Sequence, residues 1–549
     1  MPYRVSTGSG SDRVDCTFEN TRSLPLQVLT PFRVDFILYR VLCKALKPET
    51  QKHDAGQLVR GLTLVAAMSV VVGNVIGTGV FLKARVMTCN VGTPGRVLAV
   101  YVVAGLLSLA GALSYAELAA MMPRAGGEYV FMREAYGRAS GFLFGWMSFF
   151  IGKAGSQAAL GVQFALFLNT MLKRRLDGEF FSANLFGHPI PFGKIQVVAL
   201  ASILIVTGIN CLAVKVSGGV ASVLSGIKIA LVLVVGAGAF LLARDADWSH
   251  LWMANVGGAC EGVSAAARVG FGGFIAAMLG ALWAYDGWNN VTLVAGEVQN
   301  PHRNLPRALI GGMLLIMALY LFVNLSYFYA MSPTEVASVA TTSSVATEVA
   351  QKFLGPLAIT FIAAALLSST FGTLHTSILT GARVPYAMAR DGLFPRSLSK
   401  VSPRTRVPTG ALIVQAIWAC ILVIAFSSSF DILTDYAIFG LWIFYGLVTA
   451  AVFILRRKMP DLERPYRAWG YPVVPIFFLL ATALILGMTL WGVRDDFANG
   501  LGSMLHGHLL TGFGVLARNP PLAGIGLIAL GLPVYWIWMR VKDGAVARP

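Results

Sequence analysis

Charged side chains are scarce: Asp, Glu, Lys and Arg make up 13% of the 549 residues, about half the ~25% usual in soluble globular domains. So little charge argues against a soluble enzyme. Cysteine is sparse too, and the six present, Cys16, Cys43, Cys89, Cys211, Cys260 and Cys420, form no CxxC or CxxxC pair, which removes zinc and redox-motif readings. HExxH, GxSxG and P-loop patterns are absent, as are paired intramembrane histidines and acids at ligand spacing. An integral membrane enzyme therefore has no motif to carry it, and neither a metal nor a cofactor is expected. Residues 1–57 lack an uninterrupted apolar run before a small-residue cleavage site, so they read as a cytoplasmic tail and not as a signal peptide.

Apolar length is what the chain has in abundance, with 56% hydrophobic residues. Twelve stretches approach the ~20 residues that a helix needs to cross ~30 Å of hydrocarbon. They fall at about 61–84, 96–122, 139–171, 195–213, 218–243, 271–296, 306–331, 355–386, 409–429, 432–456, 472–492 and 521–540. The net charge of +17 is compatible with a nucleic-acid binder or with a membrane protein's cytoplasmic face. With both termini inside, 29 of the 43 basic residues lie in the tails and the loops of that side. The excess is thus a topology signal, and no nucleic acid is expected. Cys89 and Cys260 both fall in outside loops, which leaves a disulfide between them open.

Two spans are interrupted. The first contains Gly73-Asn74-Val75-Ile76-Gly77-Thr78-Gly79-Val80-Phe81 at mid-depth, and each glycine weakens a helix by ~1 kcal/mol relative to alanine. The sixth contains Ala284-Tyr285-Asp286-Gly287-Trp288-Asn289-Asn290, polar groups that lipid tolerates only where they line a cavity. Spans one and six are corresponding members of two five-helix halves. Matched interruptions of this kind point to an inverted-repeat transporter with a midplane site. Freed amides and the positive helix end in span one favour a carboxylate, and freed carbonyls in span six favour an ammonium. Together they suit the zwitterionic head of an amino acid. The competing reading of Gly73 and Gly77 is close helix packing.

These residues resemble the amino acid/polyamine/organocation (APC) transporter superfamily, and within it the L-type amino acid transporters and their bacterial relatives. The likeness runs from about Leu58 to Arg467. It is carried by GNVIGTGVF at 73–81, SYAELAAMMPRAGGEYVFM at 114–132, NCLAVK at 210–215, WAYDGWNNVTLVAGEVQNPHRNLPRAL at 283–309, LLSSTFGTLHTSILTGAR at 366–383 and LERPYRAWGYPVVP at 462–475. The resemblance implies an all-α integral membrane protein with twelve transmembrane helices. It would have a LeuT-like five-plus-five inverted repeat with helices one and six broken, followed by two extra spans. The domains expected are a tail at 1–57, a transporter core at 58–456, and the last two spans with a C-terminal tail at 457–549.

The resemblance places the substrate carboxylate on Thr78 and the backbone of Gly77 and Gly79. It places the α-amino group near carbonyls of Val75, Trp283, Ala284 and Asp286, with Asn289 completing the substrate set. Trp283 falls where the family has an aromatic gate, and an ordinary packing role suits its ring as well. Lys228 lies in the apolar run SVLSGIKIALVLVV, where an ammonium is costly unless it snorkels or meets oxygen acceptors. By resemblance it stands in for a sodium ion, bridging first-span carbonyls and the hydroxyls of Ser369 and Thr373, so transport needs no sodium. Asp286 resembles members that accept cationic amino acids; it selects basic side chains or holds the broken helix by accepting N–H bonds.

Lys153, outside the family pattern, has three open readings: a pair with Asp286, a pair with Glu117, or projection into a vestibule. Glu117, and Glu297 with Arg303 and Arg307, read as an inner-side network. His375 reads as a proton-sensitive group or as a histidine satisfied within helix packing. Animal light chains of this group carry a cysteine after the third span that bonds to a heavy chain. The loop from Lys173 to Gly193 has none, so no covalent heavy chain is expected. The expectation is a carrier of neutral L-amino acids, an exchanger or proton-linked permease working by alternating access. It would sit in the plasma membrane, or the inner membrane of a Gram-negative cell, with its substrate and membrane lipid as partners and a monomer or weak homo-oligomer as its state. A cationic amino acid or polyamine carrier and a transporter-like sensor are the alternatives.

Overall fold

Polar and small residues punctuate the apolar runs, and each helix begins or ends where they do. The hydroxyl of Thr63 accepts the Ala66 amide at 3.2 Å and starts α1, Leu64–Val75, as serine and threonine do at helix N-termini. The computed structural model describes residues 58–185, 188–341, 343–425, 430–506, 508, 514–516 and 519–546. The 1–57 tail, with Cys16 and Cys43, lies outside the described residues. After α1 come α2 (Gly79–Val91), α3 (Pro94–Met121), α4 (Glu128–Tyr136) and α5 (Arg138–Met147). A π-helical turn, Ser148–Lys153, joins α5 to α6 (Ala154–Met171).

Strands β1 (Glu179–Leu185) and β2 (His188–Gly193) pair antiparallel, and α7 (Lys194–Asn210) and α8 (Val214–Leu242) come next. The sixth span is α9 (Gly270–Ala284) and then a 3-10 helix, Trp288–Glu297. Beyond it lie α10 (Pro301–Ala330), α11 (Pro333–Ser338), α12 (Val345–Leu354), α13 (Leu357–Gly381) and α14 (Arg383–Arg390). The chain ends with α15 (Thr409–Ala425), α16 (Phe430–Lys458), α17 (Val473–Gly492), α18 (Arg494–Leu505) and α19 (Pro520–Val546).

The fold is predominantly helical, as expected, and the hairpin β1–β2 is an addition that the apolar pattern does not signal. Among the described residues seven helices are long and apolar enough to cross a membrane, or eight with the bent pair α1 and α2 counted as one span. This is fewer than twelve for a physical reason. The third and sixth apolar stretches are broken into shorter pieces at Ser148–Lys153 and at 285–287, and α7 and α15 have 17 residues each. α3 packs along α10, and α6 along α13. α1 is enclosed by α8, α10 and α13, which puts its broken end in the middle of the bundle.

One end of the bundle carries a backbone bridge. Leu62 pairs with the segment after the 3-10 helix through its amide to the Glu297 carbonyl (2.9 Å) and the Gln299 amide to its own carbonyl (2.8 Å). At the opposite end Cys89 and Cys260 form a disulfide with their Cα atoms 5.7 Å apart.

Candidate functional site

The two breaks meet. α1 bends from α2 by 41° across residues 76–78. In the sixth span Gly287 sits at φ +101°, a conformation that side chains with a Cβ rarely adopt. A Cβ there would lie 3.1 Å from that of Asn74, so only glycine lets the second break close on the first. Gly73 and Gly79 are packing glycines: a Cβ on Gly73 would approach the Ser225 hydroxyl to 2.9 Å, and one on Gly79 the Trp283 ring to 3.0 Å. Gly77 is different, since nothing but the Val75 carbonyl lies within 4.0 Å of its Cβ position.

A cavity of about 110 Å³ lies at this junction, walled by Val75, Gly77, Thr78 and Gly79 from the first break and by Trp283, Ala284 and Asp286 from the second. Asn74 of α1, Thr373 of α13 and Ser156, Ala159, Leu160 and Gln163 of α6 complete it. Thr78, Trp283 and Gln163 also line a larger cavity of about 950 Å³. Trp283 thus stands between the two spaces, with the Lys83 ammonium 4.9 Å from its ring centre. Gly79 and Val80 open α2, where first-turn amides have no intrahelical acceptor and point at any bound anion. The Gly77 amide is spent instead on the Val75 carbonyl at 2.8 Å.

Of the substrate residues named from sequence, Asn289 is the exception to this clustering. It leaves the cavity wall and donates to Glu128 Oε2 at 2.9 Å while accepting from the Tyr445 hydroxyl at 3.3 Å. Asp286 accepts from the same hydroxyl at 2.8 Å. That bond ties the second break to α16.

Tyr320 of α10 is a site residue that sequence reasoning misses. Its hydroxyl lies 3.0 Å from the Val75 carbonyl oxygen and 2.9 Å from that of Ala284, so one proton is shared between both breaks. Two carbonyls expected to face an ammonium are therefore engaged by Tyr320. Its only signal is a lone tyrosine in an apolar run, and Tyr327 and Tyr329 carry the same signal.

Lys228 does not snorkel. It is 1% exposed, and its ammonium donates to the carbonyls of Gly73 (2.6 Å) and Ile76 (2.7 Å) and to the Thr373 hydroxyl (2.7 Å). Ser369 acts beside it: its hydroxyl donates to the carbonyls of Ile76 (3.2 Å) and Gly77 (3.4 Å).

Other expectations need correction. Lys153 pairs with neither Asp286 nor Glu117 by direct contact; its ammonium donates to Asn290 Oδ1. Glu297 takes Arg383, not Arg303 or Arg307, in a two-pronged pair at 2.7 and 2.9 Å in which both side chains are 0% exposed. Arg303 and Arg307 start α10 one helical turn apart, while Arg383 reaches Glu297 from α14. Glu117 pairs with Arg456 at 2.7 and 2.8 Å and accepts the Ala468 amide at 2.6 Å. His375 is fully buried, and neither ring nitrogen has a hydrogen-bond partner in the structure.

The amino acid permease family model matches residues 62–505, which takes in both breaks, Lys228 and the Glu297–Arg383 pair. The chain is 30% identical over 444 residues to the human b(0,+)-type amino acid transporter 1, covering 80% of this chain and 84% of that protein. It is 32% identical over 455 residues to the Bacillus subtilis (strain 168) serine/threonine exchanger SteT, covering 82% and 94%. With the human large neutral amino acids transporter small subunit 2 it shares 30% identity over 479 residues, covering 86% and 84%. A match over most of the chain, on a multi-pass helical bundle with two broken spans around a cavity, has one meaning: this chain belongs to the amino acid permease family, and it is an amino acid transporter, not an enzyme.

Proposed function

We propose that the protein is a sodium-independent carrier of neutral L-amino acids, working by alternating access as an exchanger or proton-linked permease. The observation that carries this reading is Lys228. Its fixed ammonium spans the first break and α13, satisfying the carbonyls that a mobile cation would otherwise coordinate. The cavity between the two breaks supports a small zwitterion as cargo, held by Thr78 and the α2 amides at its carboxylate and by carbonyls of the sixth span at its ammonium. The buried Glu297–Arg383 pair and the larger cavity beyond Trp283 support a carrier open to one side at a time. Relatives named for large neutral amino acids and for serine/threonine exchange favour neutral cargo and exchange.

The architecture belongs to the same proposal. Spans one to ten form two inverted halves of five, and α17 and α19 are the eleventh and twelfth spans. Both termini are cytoplasmic, in the plasma membrane or the inner membrane of a Gram-negative cell. The domains are those expected at 1–57, 58–456 and 457–549. The relative named as a small subunit raises the matter of a second chain. The Lys173–Gly193 loop offers no cysteine for a covalent one, and a monomer or weak homo-oligomer is proposed.

The test is radiolabel counterflow in liposomes against the twenty amino acids, with and without sodium and a pH gradient. Counterflow of leucine, alanine or serine that is indifferent to sodium is expected. Saturable binding with no counterflow would mean a sensor. Asp286 on the cavity wall favours a second reading, a carrier of cationic amino acids. Under it Asp286→Asn abolishes arginine uptake and spares leucine.

A further inference from the structure

Lys153 is a buried cation that the site described above does not use. It ends the π-helical turn Ser148–Lys153, where one extra residue is inserted into the helix and rotates the start of α6. Ser156, Leu160 and Gln163 lie on its side of α6, at helical spacings of three, seven and ten residues, and all three line the small cavity. Lys153 therefore continues the cavity-facing stripe of α6 by one turn, toward the end that holds Glu297 and Arg383.

Its surroundings are polar and connected. The ammonium donates to Asn290 and lies within electrostatic reach of Glu128 and Asp286. Those two carboxylates are joined through side chains: Asp286 to the Tyr445 hydroxyl (2.8 Å), Tyr445 to Asn289 (3.3 Å), and Asn289 to Glu128 (2.9 Å). One end of this chain, Asp286, is on the cavity wall, and the other, Glu128, accepts from Tyr115 at 2.8 Å. A lysine in an apolar span is rare because lipid does not solvate it, and a satisfied one marks a functional position.

We propose that Lys153 is a tethered cation that holds, beside Asp286, the place a basic substrate side chain would otherwise take, and so restricts the carrier to neutral amino acids. This rests on the neutral-substrate reading above and deepens it. Asp286 alone on the wall of a small cavity would attract an ammonium or guanidinium. With a fixed positive charge in electrostatic reach of it, an incoming cation meets repulsion as well as attraction, while a neutral side chain meets neither. Specificity then comes from a repulsive element, not from a new contact.

The wild-type protein gives the first test, through inhibition of leucine counterflow by norleucine and by ornithine, side chains of matched length that differ in charge. Norleucine is expected to compete at least tenfold better. Equal competition overturns the proposal, whereas the absence of leucine counterflow overturns the neutral-substrate reading itself.

The second test is the ratio of arginine to leucine counterflow in Lys153→Met, Lys153→Gln and Lys153→Arg. The ratio should rise at least tenfold in the first two, remain at the wild-type value in the third, and fall back when Asp286→Asn is added to Lys153→Gln. An unchanged ratio in a folded Lys153→Gln protein overturns the proposal. If neither neutral variant folds, the norleucine-to-ornithine comparison decides alone.

Discussion

The ammonium of Lys228 lies 2.6 Å from the Gly73 carbonyl oxygen, 155 residues away in sequence, so a side chain of one helix completes the hydrogen bonding of another helix's break. Replacing it with alanine strands the Gly73 carbonyl, at ~1–3 kcal/mol for a buried acceptor left unmet, and leaves the Ile76 carbonyl to the Ser369 hydroxyl alone. Lys228→Ala should remain a monodisperse protein with a lowered melting temperature and no counterflow, in sodium or without it. Wild-type rates in that variant would remove Lys228 from the mechanism.

Tyr320 binds the two breaks through a single hydroxyl. Tyr320→Phe keeps the ring and removes the shared proton, a loss of ~0.5–1.5 kcal/mol for one hydrogen bond, or roughly 2- to 12-fold. Initial counterflow rates should fall by that factor, with the amino acid preference unchanged. A change in preference with no change in rate would contradict a bridging role.

Glu297 and Arg383 are fully buried and join the end of the sixth span to α14. Removing one partner of a buried pair costs ~3–5 kcal/mol, because the other charge is left uncompensated. Glu297→Gln should therefore melt well below wild type. The double replacement Glu297→Leu with Arg383→Met should recover most of the stability, since two apolar side chains leave no stranded charge. Equal melting temperatures for the single and double variants would contradict that account.

Cys89 and Cys260 report on orientation as well as on covalent structure. In intact cells an impermeant maleimide should label them only after reduction, and a non-reducing digest should contain the linked peptides. Labelling of Cys89 and Cys260 only in permeabilised cells would reverse the topology proposed here.

Much of the site is legible in the sequence. Glycine and polar residues at mid-depth of an apolar run are local features, and their meaning comes from the cost of unpaired backbone in hydrocarbon. This is why the breaks at 73–81 and 284–290, and the anomaly of Lys228, can be read directly. The hairpin β1–β2 cannot, because Pro189 and Pro191 speak against a strand in its second half.

That this chain is a polytopic bundle with two interrupted spans and an ammonium in its interior can be read from its residues alone. Those conclusions need only composition, spacing and the energetics of lipid. Tertiary structure alone decided who meets whom. Glu297 takes Arg383 rather than the arginines next to it in sequence, Lys153 takes Asn290 across 137 residues, and Tyr320 closes on both breaks. The reason is geometric: a buried polar group must find its partner on whichever helix face packs against it, and that face is set by the whole bundle.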